Sequence, residues 1–527
     1  MKTITKLLVL LLAVVMLVPC LAACGGNGDG NDTTVNNGGP NNPGDGDTTT
    51  ADGSVAMPPV VQLTDGNGGQ YVYKVHKASS GAEGFAGNAS ADGNSGFYCE
   101  DFYVAETSED ALSFAVYTRN QTIQETYNIR IAMVPQIGNM YKELNQFYTN
   151  GEKHDATIIK TISAGSAATG NLLKDINSMQ HVDLTHKAFD QNSVKQFSMG
   201  GKLYYLSGDM NISSMDNFAP TIVNMQMYGD LAESIVETFG DEIYANIYEL
   251  VTEKMWTMDT MLTIAELCNV DQNKSDGALS VTKGDTVGYF MYSASPLYYF
   301  YGAGGRISEL DEDGYPELVI AEDKNVEIYE YLIRNFNTVK NSWIPQGASG
   351  DRKTNFYGGG TLFTDMTLWD VRKGLYSTAT FEYGILPNPL YEEGNDYACA
   401  IYFQNCHHLW AIPSMCTDEA NAGRLLQVFA VYSSLKDSTM DAYYTKTMYL
   451  TVAGDKGSRE VMDIIRASLS YDIAGLYDWG QFMSTIRSAG GAASNQLTSK
   501  INNMDVAEEA MQLTLEKFKN PQYVPEE

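Results

Sequence analysis

Periodic runs of apolar residues near the start of the folded body predict alternating strands and helices. Apolar and polar residues alternate in Tyr71–His76, and short apolar runs fill Ile129–Val134 and Ala156–Ile162, so all three segments are expected to form strands. The stretch Leu112–Ile123 begins like a strand and continues into a helical pattern through Tyr127. Strands that alternate with helices at this spacing favour an α/β fold built on a parallel, doubly wound sheet.

Capping and turn residues predict further elements in the second half of the chain. Thr257 can cap the helix that follows Trp256, and Asp259 falls in its first turn, where negative charge is favoured. We expect Trp256 itself to pack against that helix. Asp313–Gly314 indicates a hairpin turn, and the alternative, a calcium loop, lacks the remaining ligands of the twelve-residue pattern. The last apolar periodicity, Val506–Phe518, predicts an amphipathic helix.

The first residues have the order of a secretory signal. A short basic start leads into the uninterrupted apolar run Leu7–Val18, and small residues then precede Cys24. The sequence Leu21–Cys24 (LAAC) resembles the lipobox of bacterial lipoproteins, whereas Cys20 has no small-residue run before it. This resemblance implies that residues 1–23 are removed and that the Cys24 thiol carries a diacylglycerol. A plain signal peptide or a single transmembrane anchor is the alternative.

The segment after Cys24 has a composition that cannot support a folded core. Residues 25–54 are mainly Gly, Asn, Asp, Thr and Pro, with Val35 and Ala51 as the only apolar side chains and no basic residue. A flexible coil of this length reaches roughly 30 Å. We therefore predict that residues 24–54 are a lipidated cysteine and a disordered linker, which hold the folded body on the extracytoplasmic side of the cell membrane.

Length and charge limit what the folded body can be. The chain has 527 residues, 44% hydrophobic content and a net charge of −31, from 34 Lys and Arg against 65 Asp and Glu. The body is too long for one ordinary domain, so two large lobes are expected. The negative charge argues against nucleic acid and against anionic lipid as partners. With 34 tyrosines against 19 phenylalanines, the chain is rich in side chains that suit wet binding surfaces.

Catalytic and metal-binding motifs are missing from the sequence. There is no G-x-S-x-G, H-E-x-x-H, P-loop, G-x-G-x-x-G or C-x-x-C pattern, so we expect neither a cofactor nor a metal. His407 and His408 are adjacent, and neighbouring side chains point apart. The five cysteines beyond residue 24 leave two possibilities open, a disulfide among the last three or buried free thiols: Cys99, Cys268, Cys399, Cys406 and Cys416.

Several stretches, in this order, resemble the family 1 extracellular solute-binding proteins, which are the receptor subunits of ABC importers. They are GGKLYYL, TIVNMQM, ELVTEKMWTMDTMLTIAEL, GGTLFTDMTLWDV and FEYGILPNPLYEEG, although Val223 and Met225 depart from the usual family pattern. The resemblance implies a two-lobed, type II periplasmic-binding-protein-like fold. The lobes would comprise 55–206 with 366–412, and 207–365 with 413–527, joined by a hinge.

The same resemblance implies a ligand site between the lobes. A sugar needs aromatic rings against its C–H faces and carboxylates or amides for its hydroxyls, whereas an anionic ligand would need arginine or helix N-termini. The cleft segments are rich in Tyr, Trp, Asp and Asn, which favours a neutral, polyhydroxylated ligand. The alternative for each candidate residue is a structural role without ligand contact, either in the core or in a solvated loop. The predicted ligand-binding residues are Trp369, Asp209, Asn211, Tyr292, Tyr298, Tyr299 and Trp410.

These observations predict a monomeric substrate-binding lipoprotein of an ABC importer. It would capture a neutral solute, a sugar or an oligosaccharide, and deliver it to a membrane permease without catalysing a reaction. One alternative is a surface glycan-binding or sensor protein that has the same fold and no importer, because a fold does not determine a function. Another is a secreted glycosidase, whose acid/base pair no motif marks.

Overall fold

The structure is a computed structural model, and it describes residues 56–519 except 78–101, 105, 108, 137–138, 273–278, 280–283, 337–345, 348, 402–406, 449–455 and 492–495. The predicted signal peptide, the lipidated Cys24 and the linker therefore lie outside the described residues. So do Cys99, Cys406 and Trp343. The described strands are β1 Tyr71–Lys77, β2 Ile129–Pro135, β3 Ala156–Lys160, β4 Thr221–Asn224, β5 Val287–Tyr292, β6 Ser308–Leu310, β7 Pro316–Leu318, β8 Gln346–Gly347, β9 Thr361–Asp365, β10 Tyr383–Leu386, β11 Cys399–Ala400, β12 His408–Ala411 and β13 Leu469–Ser470.

The longer helices alternate with these strands. In the described part of the chain, those of eight or more residues are α1 Ala111–Tyr127, α2 Met140–Thr149, α3 Thr161–Thr169, α4 Ala232–Phe239, α5 Met258–Cys268, α6 Ser295–Gly302, α7 Asp323–Phe336, α8 Ser349–Tyr357, α9 Glu419–Ser434, α10 Lys456–Ala467 and α11 Met504–Lys519. Shorter helices include Gln191–Phe197, Ser213–Asp216, Leu368–Asp370, Val371–Leu375, Tyr376–Thr378 and Ala442–Met448.

The first sheet has the strand order β12-β3-β1-β2. Strand β1 pairs in parallel with β2 and with β3, which confirms the three predicted strands and their parallel arrangement. Strand β12 closes the other side antiparallel to β3. Every residue of β3 is buried, as expected of a parallel strand covered on both faces.

Helix α1 corrects one prediction, because Leu112–Ile123 is helical from its beginning. Asp110 caps the helix by accepting a hydrogen bond from the Ser113 amide at 2.8 Å, and Asn128 ends it in the left-handed conformation. Leu112, Val116 and Ile123 are buried on one face of the helix. Tertiary packing and the cap outweigh the strand-like local composition.

The second sheet has the order β10-β4-β9-β5-β8 and mixes both strand directions. Strands β5, β8 and β9 run parallel, whereas β4 is antiparallel to both β9 and β10. Strand β4 lies in TIVNMQM, one of the stretches that resemble the solute-binding family. Helix α5 begins where predicted: Thr257 accepts a hydrogen bond from the Thr260 amide, Asp259 lies in the first turn, and the buried Trp256 indole donates to the Pro387 carbonyl at 3.1 Å.

Two small sheets complete the strand pairing. Strands β6 and β7 form an antiparallel hairpin whose turn contains Gly314 at a φ of 78°, so the hairpin expected at Asp313–Gly314 is confirmed. Strand β11 pairs in parallel with β13. At the C-terminus, α11 confirms the amphipathic helix and buries Ala507, Met511, Leu515 and Phe518.

The sheet pairing shows which of the two large sheets each strand of the predicted lobe segments joins. The range 366–412 contains β10, which pairs in the second sheet, and β12, which pairs in the first. Helix α9 packs on the first sheet, where the Phe429 ring stacks on Tyr73 at 5.6 Å, although it lies in the range 413–527. Of the described cysteines, Cys268, Cys399 and Cys416 are buried free thiols.

Candidate ligand site at the carboxyl ends of the two sheets

Both large sheets end their parallel strands on one edge. In the first sheet β1, β2 and β3 end at Lys77, Pro135 and Lys160, and in the second sheet β5 and β9 end at Tyr292 and Asp365. Ligands of open α/β sheets bind outside the carboxyl ends of the strands, where loops and helix N-termini converge. These two edges are therefore the candidate ligand-binding regions of the protein.

Chain segments that run between the sheets cross beside the edge of the second sheet. The Leu368 amide donates to the Phe218 carbonyl at 3.0 Å, so the segment after β9 lies against the segment before β4. Arg372 and Asp216 then form a buried ion pair at 2.5 Å, and the Tyr443 hydroxyl donates to the same carboxylate at 2.9 Å. Three segments that are distant in sequence are joined at this point.

The amino end of α1 brings the edge of the first sheet to the same place. Helix α1 ends directly before β2, so its beginning at Asp110 lies toward the carboxyl edge of the first sheet. Burial raises the pKa of Asp110, but hydrogen bonds from Ser113 and the positive charges of Lys373 and Arg372 outweigh it and keep this pKa below its ordinary value. Helix α1 also packs against the helix Ala442–Met448, whose Tyr443 donates to Asp216 of the crossing ion pair, so the crossing segments lie near both edges.

Large apolar side chains are exposed on elements that begin at this place. Ile162 in the first turn of α3 is 56% exposed, Phe114 in the first turn of α1 is 53% exposed, and Tyr376 is 56% exposed. Exposed apolar side chains of this size mark candidate contact surfaces, so we count all three as candidates for the site. Sequence reasoning missed all three, although an apolar residue in the first turn of a helix that follows a strand would have been a usable signal.

Two of the predicted ligand-binding residues, Tyr292 and Trp369, lie at the edge of the second sheet. Both are half-buried, and the Arg352 guanidinium stands 4.8 Å from the centre of the Tyr292 ring. Trp369 belongs to the helical turn Leu368–Asp370, which the Thr367 hydroxyl caps. The structure therefore brings these two aromatic residues to one edge, and their contact with a ligand stays a prediction.

Asp209 and Asn211 lie together in a different place, a cavity of about 570 Å³ beside the segment that precedes β4. The Asp209 carboxylate is 2.9 Å from the Arg466 guanidinium of α10. Burial raises the pKa of Asp209 to about 6, although Arg466 opposes the shift. The Asn211 amide donates to the His408 carbonyl. Neither Tyr292 nor Trp369 lines this cavity, so these four predicted residues divide into two groups.

The other three predicted residues are enclosed by protein atoms. Trp410 on β12 packs edge-on against Phe102, with ring centres 5.0 Å apart. Tyr298 and Tyr299 are buried in α6, and the Tyr299 hydroxyl donates to Asp365 at 2.7 Å. Direct contact between these side chains and a sugar would require them to move, and their role in binding stays a prediction.

The titratable groups of the described residues form no metal centre. No group of three or more His, Cys, Asp and Glu side chains in this part of the chain could hold a metal ion. His407 Nε2 lies 3.2 Å from the Ser207 hydroxyl, while burial and the charges of Lys160 and Lys77 hold the pKa of His408 well below its usual range. No helix among the described residues is long and apolar enough to cross a membrane.

Comparison with known proteins was informative only at the level of structure. No protein-family model matches the sequence, and no curated protein sequence matches it. A cyclo/maltodextrin-binding protein complexed with maltotetraose has a TM-score of 0.51 and 13% identity, over 85% of this chain and 97% of that chain.

Two further solved structures are similar at lower TM-scores. An extracellular solute-binding protein from Staphylococcus aureus in complex with maltose has a TM-score of 0.48 and 13% identity, over 86% of this chain and 99% of that chain. A maltotriose-binding protein from Thermus thermophilus has a TM-score of 0.45 and 12% identity, over 83% and 99%. The chain therefore has the two-lobed α/β fold of the periplasmic-binding-protein type, as the sequence resemblance implied.

Proposed function

We propose that this protein is the extracytoplasmic substrate-binding lipoprotein of an ABC importer and captures a neutral sugar or oligosaccharide between its two lobes. The observation that carries the proposal is the convergence of both carboxyl edges on the crossing segments, in a fold shared with a protein solved in complex with maltotetraose. Bound ligand would draw the lobes together, because only a ligand that contacts both can shift the equilibrium between open and closed forms.

The side chains at the edges support an uncharged ligand. Two of the cations near the second edge already have carboxylate partners, since Lys353 pairs with Asp370 at 2.5 Å and Arg372 pairs with Asp216, while the buried Arg352 faces the Tyr292 ring. The exposed side chains on the elements beside the two edges include Phe114, Ile162 and Tyr376, which suit the C–H faces of a pyranose ring better than a phosphate or carboxylate. We propose binding and release without turnover, so the ligand should be recovered unchanged after incubation.

A glycan-binding measurement tests the function. The full chain, purified in detergent, is titrated calorimetrically with maltotetraose and with a panel of other neutral oligosaccharides. We expect saturable binding of at least one, with no new reducing ends in the recovered sugar. If no neutral glycan in the panel binds, the proposed ligand class is wrong, and if a glycan is hydrolysed, the glycosidase alternative gains the support.

Replacement of Trp369 by alanine tests the edge of the second sheet. We expect at least tenfold weaker binding of the glycan, or about 1.4 kcal/mol, because the alanine variant loses the apolar contact of the indole ring with the sugar. Tyr148→Ala is the matched control, since Tyr148 is 55% exposed in the last turn of α2, at the opposite end from the carboxyl edge, and should leave affinity unchanged. Equal affinity of the Trp369 variant and the parent protein would remove Trp369 from the site.

The lipid anchor is proposed on the sequence of residues 21–24. Several acyl chains hold a protein on a bilayer, because each buried methylene contributes about 0.8 kcal/mol. Cys24→Ala should therefore shift the protein from the membrane pellet to the soluble fraction, whereas Cys20→Ala should not. A Cys24 variant that still sediments with membranes would favour a transmembrane anchor.

A further inference from the structure

A buried carboxylate stands directly behind the edge that carries Tyr292 and Trp369. Asp365 is the last residue of β9 and has no exposed surface. One of its oxygens accepts hydrogen bonds from the Tyr289 and Ser295 hydroxyls, both at 2.5 Å. The other accepts from Tyr299 at 2.7 Å and from Thr221 at 3.2 Å. An isolated buried charge would be costly, and this ring of hydroxyl donors compensates for lost hydration.

The Ser295 hydroxyl links Asp365 to the edge of the sheet. The Ser295 hydroxyl donates its only proton to Asp365 and accepts a hydrogen bond from the backbone amide of Tyr292 at 3.1 Å. The hydroxyl therefore acts as both donor and acceptor, and these two hydrogen bonds restrict its rotation. Asp365 thus determines, through Ser295, where the backbone of Tyr292 lies at the end of β5.

The same strand end leads into the segment that carries the tryptophan. Asp365 is followed by Met366, whose amide donates to the Pro220 carbonyl at 3.4 Å, and by Thr367, which caps the turn that contains Trp369. The carboxylate therefore connects the ends of β5 and β9 at the place where their aromatic residues emerge. Buried networks with every donor satisfied hold side chains in one arrangement.

We propose that Asp365 and Ser295 are positioning residues for the ligand-binding edge, and that they hold Tyr292 where it can contact a neutral glycan. The inference rests on the proposed function, because it assigns the relay a role in binding that glycan. Neither residue touches the ligand. Their effect on affinity passes through Tyr292.

The chain contains a matched relay away from this edge. The buried Ser308 hydroxyl donates to Asp472 at 2.6 Å and accepts from the Ala474 amide at 3.2 Å. It has the same chemistry as the Ser295 relay, a serine between a buried carboxylate and a backbone amide. Ser308→Ala therefore reproduces the general cost of losing such a serine without disturbing Tyr292.

The test compares Ser295→Ala with Ser308→Ala in the full chain. We expect Ser295→Ala to weaken binding of the glycan identified in the titration at least fivefold, and Ser308→Ala to change it less than twofold. Hydrogen exchange should accelerate at the Tyr292 amide in the first variant alone. Added to Tyr292→Ala, the Ser295 substitution should reduce affinity no further, because its effect requires the tyrosine.

Each result separates the relay from the proposed function. Equal affinities of the two serine variants, or unchanged exchange at the Tyr292 amide in Ser295→Ala, would overturn the positioning role. A further loss of affinity when Ser295→Ala is added to Tyr292→Ala would also overturn it. If the unsubstituted protein binds no glycan, the proposed function fails and the binding role fails with it, while the exchange measurement still decides whether the relay holds Tyr292.

Discussion

At the scale of single residues, burial decides the protonation state of several groups. His154 is buried at the end of the loop before β3, and its ring packs against Phe147 with centres 4.6 Å apart. Burial, together with the charges of Lys74 and His76, lowers the pKa of His154 to about 4, and Glu152 at 3.7 Å only partly opposes this. Because the folded state disfavours the charged imidazole, protonation of His154 destabilises the fold.

This lowered pKa predicts a loss of stability in acid. The folded pKa lies below the ordinary value of about 6.5, so the contribution of His154 is complete above that value and is lost as the pH falls toward about 4. The free energy of unfolding should fall by about 2 kcal/mol more between pH 7 and pH 4.5 in the parent protein than in His154→Leu. Urea titrations at both pH values measure the difference.

The control for this prediction is the exposed histidine of the first half. His181→Gln should retain the acid-induced loss of the parent protein, because His154 is intact in this variant and His181 is an exposed residue. Parallel curves for the parent protein and His154→Leu would contradict the assignment. Carboxylates titrate in the same range, but they do so in all three proteins and cancel in the comparison.

Residue identity alone could not separate a lining tyrosine from a core tyrosine. In the run from Tyr292 to Tyr299, Ser295 begins α6 and turns Tyr298 and Tyr299 inward, while Tyr292 stays at the strand end. The direction of each ring depends on where the helix starts and on which face of it the rest of the lobe covers. No local pattern in MYSASPLYYFYGAGG contains that information.

At the scale of elements, sequence patterns predicted the strands and caps that depend on neighbours in the chain. The three predicted strands of the four-stranded first sheet, the Thr257 cap, the hairpin at Gly314 and the last helix all formed as expected. Each combines a period of apolar residues with a residue whose side chain or φ angle suits a terminus or a turn. These features are decided within a few residues.

Elements that depend on distant partners were predicted less well. The beginning of α1 has a strand-like composition. Its buried face packs against the sheet and against α9, and this packing stabilises the helical conformation of the segment. GGKLYYL lies outside the regular strands, and Leu206 makes only an isolated pairing with Trp410. The antiparallel direction of β4 and β10 was not foreseen either, because pairing direction is set by the path of the chain between strands.

At the scale of the whole molecule, the buried Asp216–Arg372 pair joins segments that lie more than 150 residues apart. Removing one member leaves the other charge buried without compensation. Arg372→Met should therefore lower the free energy of unfolding by about 3–5 kcal/mol, and the double variant Asp216→Leu with Arg372→Met should recover part of that loss. Denaturant unfolding of the single and double variants measures both effects.

An exposed ion pair in the same protein provides the comparison. Lys254 and Asp396 approach to 2.6 Å, but the aspartate side chain is almost fully exposed, so Lys254→Met should lower the free energy of unfolding much less than Arg372→Met does. Similar losses for Lys254→Met and Arg372→Met would show that burial at the crossing does not strengthen the Asp216–Arg372 pair. Such a result would also weaken the view that this pair holds the crossing segments in place.

The sequence by itself determined the elements that need only local information: the apolar periods, the helix cap and the hairpin turn. The proposed signal and linker rest on the composition of the first 54 residues alone. The tertiary structure decided which edges meet and which aromatic side chains stay accessible there. It also revealed Asp365, whose four hydroxyl partners come from positions 221, 289, 295 and 299. Contacts across such separations arise only when the folded chain brings distant segments together, and no pattern along the sequence encodes them directly.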